Sequence, residues 1–146
     1  MKLLRILGKS GSGKTTLIEA LIAELKPLRV GVIKHTRHEL DLPDNSKDTF
    51  RYLNSGAIAS IGISPTNSEA FFCGEELNID YALHLLEPRT DAVIIEGARR
   101  LDVPTVLLGE PPMDANIGQV LCRLPLKPEL SEEILKTILT YFKPSK

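Results

Sequence analysis

The chain is expected to fold as an α/β protein of three layers, a mostly parallel sheet with helices on both faces, and three features of the sequence lead there. A short apolar run, Leu3, Leu4, Ile6 and Leu7, passes through a glycine-rich loop straight into a helical stripe of Leu17, Ile18, Leu21, Ile22 and Leu25. A second apolar run, Val30, Gly31, Val32 and Ile33, follows that helix after Pro27 and completes a strand, helix, strand unit with a parallel pair. Much later, Asp91 to Gly97 reads Asp-Ala-Val-Ile-Ile-Glu-Gly, apolar on successive positions as a strand buried on both faces must be.

The loop between the first strand and helix carries the chemistry. Gly8 to Thr16 reads Gly-Lys-Ser-Gly-Ser-Gly-Lys-Thr-Thr, a glycine, four residues, then Gly-Lys-Thr. This is the spacing of a phosphate-binding loop, the Walker A motif of the P-loop NTPase fold. Glycine reaches backbone conformations closed to residues with a Cβ, so consecutive amides can turn inward and make a nest for phosphate oxygens. Gly8, Gly11 and Gly13 are therefore the expected nest. Lys14 supplies a cation to the β and γ phosphates, and the Thr15 hydroxyl is placed to hold Mg²⁺.

Bulk properties narrow the class. A chain of 146 residues makes one nucleotide-binding domain, residues 1–146, with a real core. With 42% hydrophobic and 25% charged residues and a net charge of -1, it has no general attraction for nucleic acid or an anionic membrane, so an anionic ligand must be held locally. Arg5 interrupts the first apolar run, which argues against a signal peptide, and no later run is long enough to span a bilayer. Cys73 and Cys122 form neither a metal pair nor a disulfide framework, as suits a reducing cytoplasm.

The remaining elements follow from local signals. His35 to Asn45 is polar, contains Pro43, and reads as a loop over the site. A helix is expected from an N-cap at Asn45 or Ser46 through Phe50 and Leu53 to Gly56, with Asp48 in its first turn. Ala57 to Ile63 and Ala70 to Cys73 read as strands about a Pro65–Ser68 turn, and Asn78 to Leu86 as a helix with Ile79, Leu83 and Leu86 on one face, stopped by Pro88. Thr105 to Leu108 and Gln119 to Arg123 are further short strands. Ser131 caps a terminal helix whose buried stripe is Ile134, Leu135, Ile138, Leu139 and Phe142.

In an open parallel sheet the ligand lies beyond the carboxyl ends of the strands, and the phosphate loop, Lys34 and Glu96 all emerge there. Mg²⁺ takes oxygen ligands and keeps several waters, so one hydroxyl and one or two carboxylates suffice. Thr15 is the hydroxyl, Glu96 the first carboxylate, and Asp48 a second candidate that also suits a helix N-terminus without a metal. Lys14 and Glu96 are the candidate catalytic pair. His35 and His38 stand three apart with no third His or Cys, which disfavours zinc and leaves them as polar loop residues or contacts to an anionic ligand. With Lys34, Arg37, Arg99 and Arg100 they give the rim local positive charge, which a solvated basic surface would also explain. No Asn-Lys-X-Asp stretch selects guanine over adenine, so ATP stays open, and without an arginine finger or a water-orienting Gln hydrolysis is expected to be slow, on the order of 10⁻⁴ to 10⁻² per second.

Taken together, Gly-Lys-Ser-Gly-Ser-Gly-Lys-Thr-Thr-Leu-Ile-Glu, Val-Gly-Val-Ile-Lys-His-Thr-Arg-His, Lys-Asp-Thr-Phe-Arg with Ser-Gly-Ala, and Ile-Ile-Glu-Gly resemble the molybdopterin-guanine dinucleotide biosynthesis adapter family of molybdenum-cofactor maturation. The Lys-His-X-X-His and Lys-Asp-Thr combination is more specific than the loop alone. The family pattern differs at Ser46, where it has Gly, and at Ala98 and Arg99, where it has an aromatic residue and Lys. The resemblance implies a P-loop fold, GTP binding with weak hydrolysis and Mg²⁺, a homodimer, and partnership with the molybdenum cofactor guanylyltransferase, with a molybdopterin ligand within reach. It implies nucleotide and metal roles for Gly11, Ser12, Gly13, Lys14, Thr15, Thr16, Asp48 and Glu96, with Lys34, His35 and His38 near the site. A second reading is an ATP-dependent small-molecule ligase or kinase: Ile-Glu-Gly-Ala with Lys34 and Asp48 is also similar to dethiobiotin synthetase, although Arg99 stands where that enzyme has a second glycine.

Overall fold

The structure, a computed structural model, describes residues 1–40, 47–74 and 76–143. The chain divides into two compact units, one made of Met1–Arg37 with Leu83–Lys146 and the other of His38–Ala82.

The larger unit is built on a five-stranded parallel sheet of β1 (Lys2–Gly8), β2 (Val30–His35), β5 (Ala92–Gly97), β6 (Thr105–Leu108) and β7 (Val120–Leu124), in the order β2-β5-β1-β6-β7. The expected pairing of the first two strands is corrected here: β1 and β2 are parallel, but β5 lies between them and pairs with both. Burial explains the exchange. Ala92 to Ile95 are inaccessible on both faces and take the interior position, whereas β2 exposes Val32 and Lys34 and takes the edge. β2 also runs two residues further than expected, so Lys34 lies within the strand.

Side chains alternate across a strand, so each face of this sheet has its own core. Leu4, Ile6, Ala92, Ile94, Val106 and Leu108 meet α1 (Lys14–Glu24) and α4 (Glu132–Thr140) through Leu17, Ile18, Leu21, Leu25, Ile138 and Phe142. Ser131 is the α4 N-cap, its hydroxyl accepting from the Ile134 amide, and Glu132 and Glu133 fill the first turn. Phe142 lies beyond the last helical residue yet stays buried. The chain end is tied to β1 by the Tyr141 hydroxyl donating to Leu3 O and by Lys2 Nζ donating to Tyr141 O.

The opposite face carries Arg5, Leu7, Val93, Ile95, Thr105 and Leu107, all buried. Leu86, at the end of α3 (Ile79–Leu86), and Val93 both approach Gly31 there, and Pro88 sits in a 3₁₀ turn over Glu87–Arg89 that continues the helix. The expected α3 face of Ile79, Leu83 and Leu86 is half-buried.

The smaller unit contains α2 (Asp48–Asn54) and an antiparallel hairpin of β3 (Ala59–Ile63) and β4 (Ser68–Phe72), a separate sheet in register from Ala59↔Phe72 to Ile63↔Ser68. Phe50 is its buried anchor, and the Thr49 hydroxyl and Lys47 ammonium both donate to Glu69 across it, at 2.7 and 3.2 Å. Asp48 is in the first turn of α2 as expected, but the residue before it is Lys47 in an extended conformation; the expected caps Asn45 and Ser46 lie outside the described residues.

Candidate functional site

Where β1 ends, the chain turns through Lys9–Ser12 into α1. Gly11 and Gly13 have φ of 71° and 96°, conformations that favour glycine, and Gly13 stands at the N-cap position of α1. Having no side chain, Gly13 caps nothing, which leaves the first-turn amides of Lys14, Thr15 and Thr16 directed at whatever lies in front of the helix. A Cβ at Gly13 would also stand 3.1 Å from Lys127 Cα. Lys127 has φ of 48° and its amide donates to Ser12 O at 2.8 Å, so the segment after β7 rests on the phosphate loop.

These segments border a cavity of about 530 Å³. Ser10 to Thr16 form its floor, Lys34 and Glu96 one wall, and Lys127, Pro128 and Leu130 another. Register explains the first wall. Lys34, Glu96 and Ile6 are aligned across β2, β5 and β1, and Ile6 faces α1, so all three side chains leave the sheet on the side where the phosphate loop begins. The structure thus brings together Gly11, Ser12, Gly13, Lys14, Thr15, Thr16, Lys34 and Glu96. His35 ends β2 but does not line the cavity, while Asp48 and His38 belong to the smaller unit, where Asp48 pairs with Arg51 at 3.2 Å.

The electrostatics suit a polyanion. Three lysines and one carboxylate line the cavity. Burial lowers the pKa of the Lys14 ammonium, Glu96 opposes that shift, and Lys34 adds to it. The ammonium donates to Gly8 O at 3.2 Å and Lys9 O at 2.8 Å, carbonyls of its own loop. The Ser12 hydroxyl is buried with no hydrogen-bond partner among the described residues, a loss of about 1–3 kcal/mol that a ligand oxygen would recover. An amide-lined turn, an orphaned hydroxyl, lysines, and a strand-end carboxylate in the same cavity as Thr15 are the donor set that a nucleoside triphosphate with Mg²⁺ needs, so these residues fit that group.

The basic rim is partly neutralised. Asp114 accepts from Arg99 Nη1 at 2.9 Å and also pairs with Arg37, and these two arginines hold its carboxyl below the usual carboxylate range. Arg100 is exposed. Lys127, Pro128 and Leu130 were not expected at the site. The signal was available, since they follow the last parallel strand at its carboxyl end, where ligands of such sheets bind.

Strand order, phosphate loop and cavity together define a P-loop NTPase-type α/β protein. Residues 3–119 match the family model described as molybdopterin guanine dinucleotide synthesis protein B, MobB, and the chain belongs to that family. It is 34% identical over 146 residues to the molybdopterin-guanine dinucleotide biosynthesis adapter protein of Haemophilus influenzae, spanning 95% of this chain and 75% of that one. Against the protein of the same name from Escherichia coli it is 30% identical over 110 residues, spanning 68% of this chain but only 60% of the relative. The crystal structure of Bacillus subtilis MobB superposes with a TM-score of 0.77 over 99% of this chain and all of that one at 18% identity, a likeness of fold.

Proposed function

We propose that this chain is a GTP-binding adapter that assists the conversion of molybdopterin to its guanine dinucleotide form, with slow intrinsic hydrolysis. Membership of the MobB family supports the pathway, and the observation that carries the nucleotide reading is the cavity in which the glycine-rich turn, Lys14, Thr15 and Glu96 meet. In this reading the first-turn amides of α1, Lys14 and Lys34 hold the phosphates, while Thr15 and Glu96 hold Mg²⁺. Bound magnesium would draw charge from the phosphate oxygens. The chain's own part is to orient the phosphates, neutralise them and fix the metal-facing oxygens.

The proposed adapter acts as a cytoplasmic homodimer beside the molybdenum cofactor guanylyltransferase, with molybdopterin as the ligand handed over. The sequence lacks a guanine-selecting Asn-Lys-X-Asp stretch, so the base is assigned by the family rather than by a motif. The ligase or kinase reading gains nothing from the comparisons, which are with MobB proteins.

Calorimetry with GTP and ATP, each with and without Mg²⁺, tests the proposal. GTP should bind more tightly with Mg²⁺, Lys14→Ala should abolish measurable binding, and Glu96→Gln should remove the advantage conferred by magnesium. Tight ATP binding with rapid turnover of a small carboxylic or amine substrate would favour the ligase, and no binding of either nucleotide would defeat both.

A further inference from the structure

Arg5 is wholly inaccessible in the middle of β1, on the face opposite Glu96. Burying a guanidinium is unfavourable unless its donors are satisfied. Here Nε donates to Thr105 Oγ1 at 2.9 Å, Nη1 to the carbonyls of Ala98, Arg99 and Leu101 at 3.0, 3.2 and 2.5 Å, and Nη2 to Asn116 O at 2.5 Å. Among the described residues its hydrogen-bond partners are these four carbonyls and one hydroxyl, with no carboxylate in contact. Burial lowers its pKa and the charge of Asp102 opposes that, but an arginine remains cationic at any working pH.

Three of those carbonyls belong to the turn directly after Glu96. That turn is an unfavourable one: Gly97 has φ of 87° and Ala98, which carries a Cβ and is buried, has φ of 51°. A Cβ at Gly97 would lie 2.2 Å from His35 O, so β5 leaves the sheet pressed against the end of β2. Something must hold successive residues in the left-handed region there, and the convergent carbonyls point to the guanidinium.

We propose that Arg5 is a positioning residue for Glu96: by gathering the carbonyls of Ala98, Arg99 and Leu101 it fixes the Gly97–Ala98 turn, and the turn fixes the direction in which the carboxylate meets Mg²⁺. This rests on the nucleotide and metal reading given above. It assigns a binding role to a side chain that never touches the ligand.

The test compares wild type with Arg5→Met and Arg5→Lys, measuring GTP affinity in Mg²⁺ and in EDTA together with amide hydrogen exchange. Arg5→Met should lose about 10- to 100-fold of the affinity gained from Mg²⁺, the usual cost of removing support behind a metal ligand, and keep its affinity in EDTA within about twofold. Arg5→Lys, which retains charge but has three donors in place of five, should fall between. The amides of Leu101 and Asn116, which donate to Ala98 O and Arg99 O, should exchange faster in both variants while the β1 amides stay protected. Equal losses in Mg²⁺ and EDTA would reduce Arg5 to a structural residue, and unchanged exchange at Leu101 and Asn116 would remove the clamp altogether. Should Arg5→Met fail to fold, Arg5→Lys decides on the same measurements. If the wild type binds no nucleotide, the proposed function fails, and the exchange data still decide whether Arg5 holds the turn.

Discussion

Gly13 concentrates three demands on one position: a φ of 96°, an empty place at the helix N-cap, and close approach to Lys127. Gly13→Ala satisfies none of them, so it should lower stability by about 1–3 kcal/mol and weaken nucleotide binding well beyond that loss of fold. Urea denaturation and calorimetry on the same sample check both effects. The glycine was legible in the sequence because the loop's chemistry is local, nine consecutive residues whose spacing has a physical meaning. Arg5 was not. In a linear reading it is a charge that spoils an apolar run, and its five hydrogen bonds go to residues 93 to 111 positions away, which no periodicity exposes. Lys127 was missed for a related reason, since what matters is its backbone, bonded to Ser12.

Among the elements, β2 and β5 are joined at their beginnings by Arg29 and Asp91. Asp91 accepts from the Arg29 amide at 2.8 Å and from Nε and Nη2 at 3.2 and 2.9 Å, and its own amide donates to Arg29 O. The side-chain bonds from Arg29 bring its carboxyl down to about 2. A carboxylate with a depressed folded pKa adds stability above the unfolded value of about 3.9 and loses it as pH falls through the folded one. Asp91→Asn should therefore shift the urea midpoint downward at pH 6, and the difference from wild type should close between about pH 4 and pH 2. A gap independent of pH would sink this reading. That these strands are neighbours could not be read from order along the chain. The strand, helix, strand unit correctly implied parallel β1 and β2, but insertion of a strand sixty residues later is decided by which segment is apolar on both faces, a competition among distant parts of the sequence. Helix ends, by contrast, were visible where a cap is a side chain, as at Ser131.

For the molecule as a whole, the larger unit is an open sheet with helices and turns covering it, and the residues that line its cavity come from strand ends widely separated in sequence. The residues that line the cavity all belong to this unit, whereas the proposed dimerisation and partnership concern the complete chain. Light scattering after size exclusion should give twice the 16.1 kDa mass of one chain, and a single-chain mass at every concentration would remove the homodimer from the proposed function. No helix among the described residues is long and apolar enough to cross a membrane. The hairpin of β3 and β4 appeared in the sequence as two strands, but its separation from the main sheet depends on pairing partners and was not legible.

Lys14 has two partners within its own loop, the carbonyls of Gly8 and Lys9. An ammonium has three donors, so these two carbonyls leave one for a phosphate oxygen in the proposed function. Lone orthophosphate would bring one compact cluster of oxygens and compete for the amine unaided, whereas a chain of linked phosphates held elsewhere on the turn would deliver its next group to the amine at high local concentration. In the proposed function a second contact to that ammonium would require displacing a carbonyl, a cost that tethered phosphates would meet more readily than free ones.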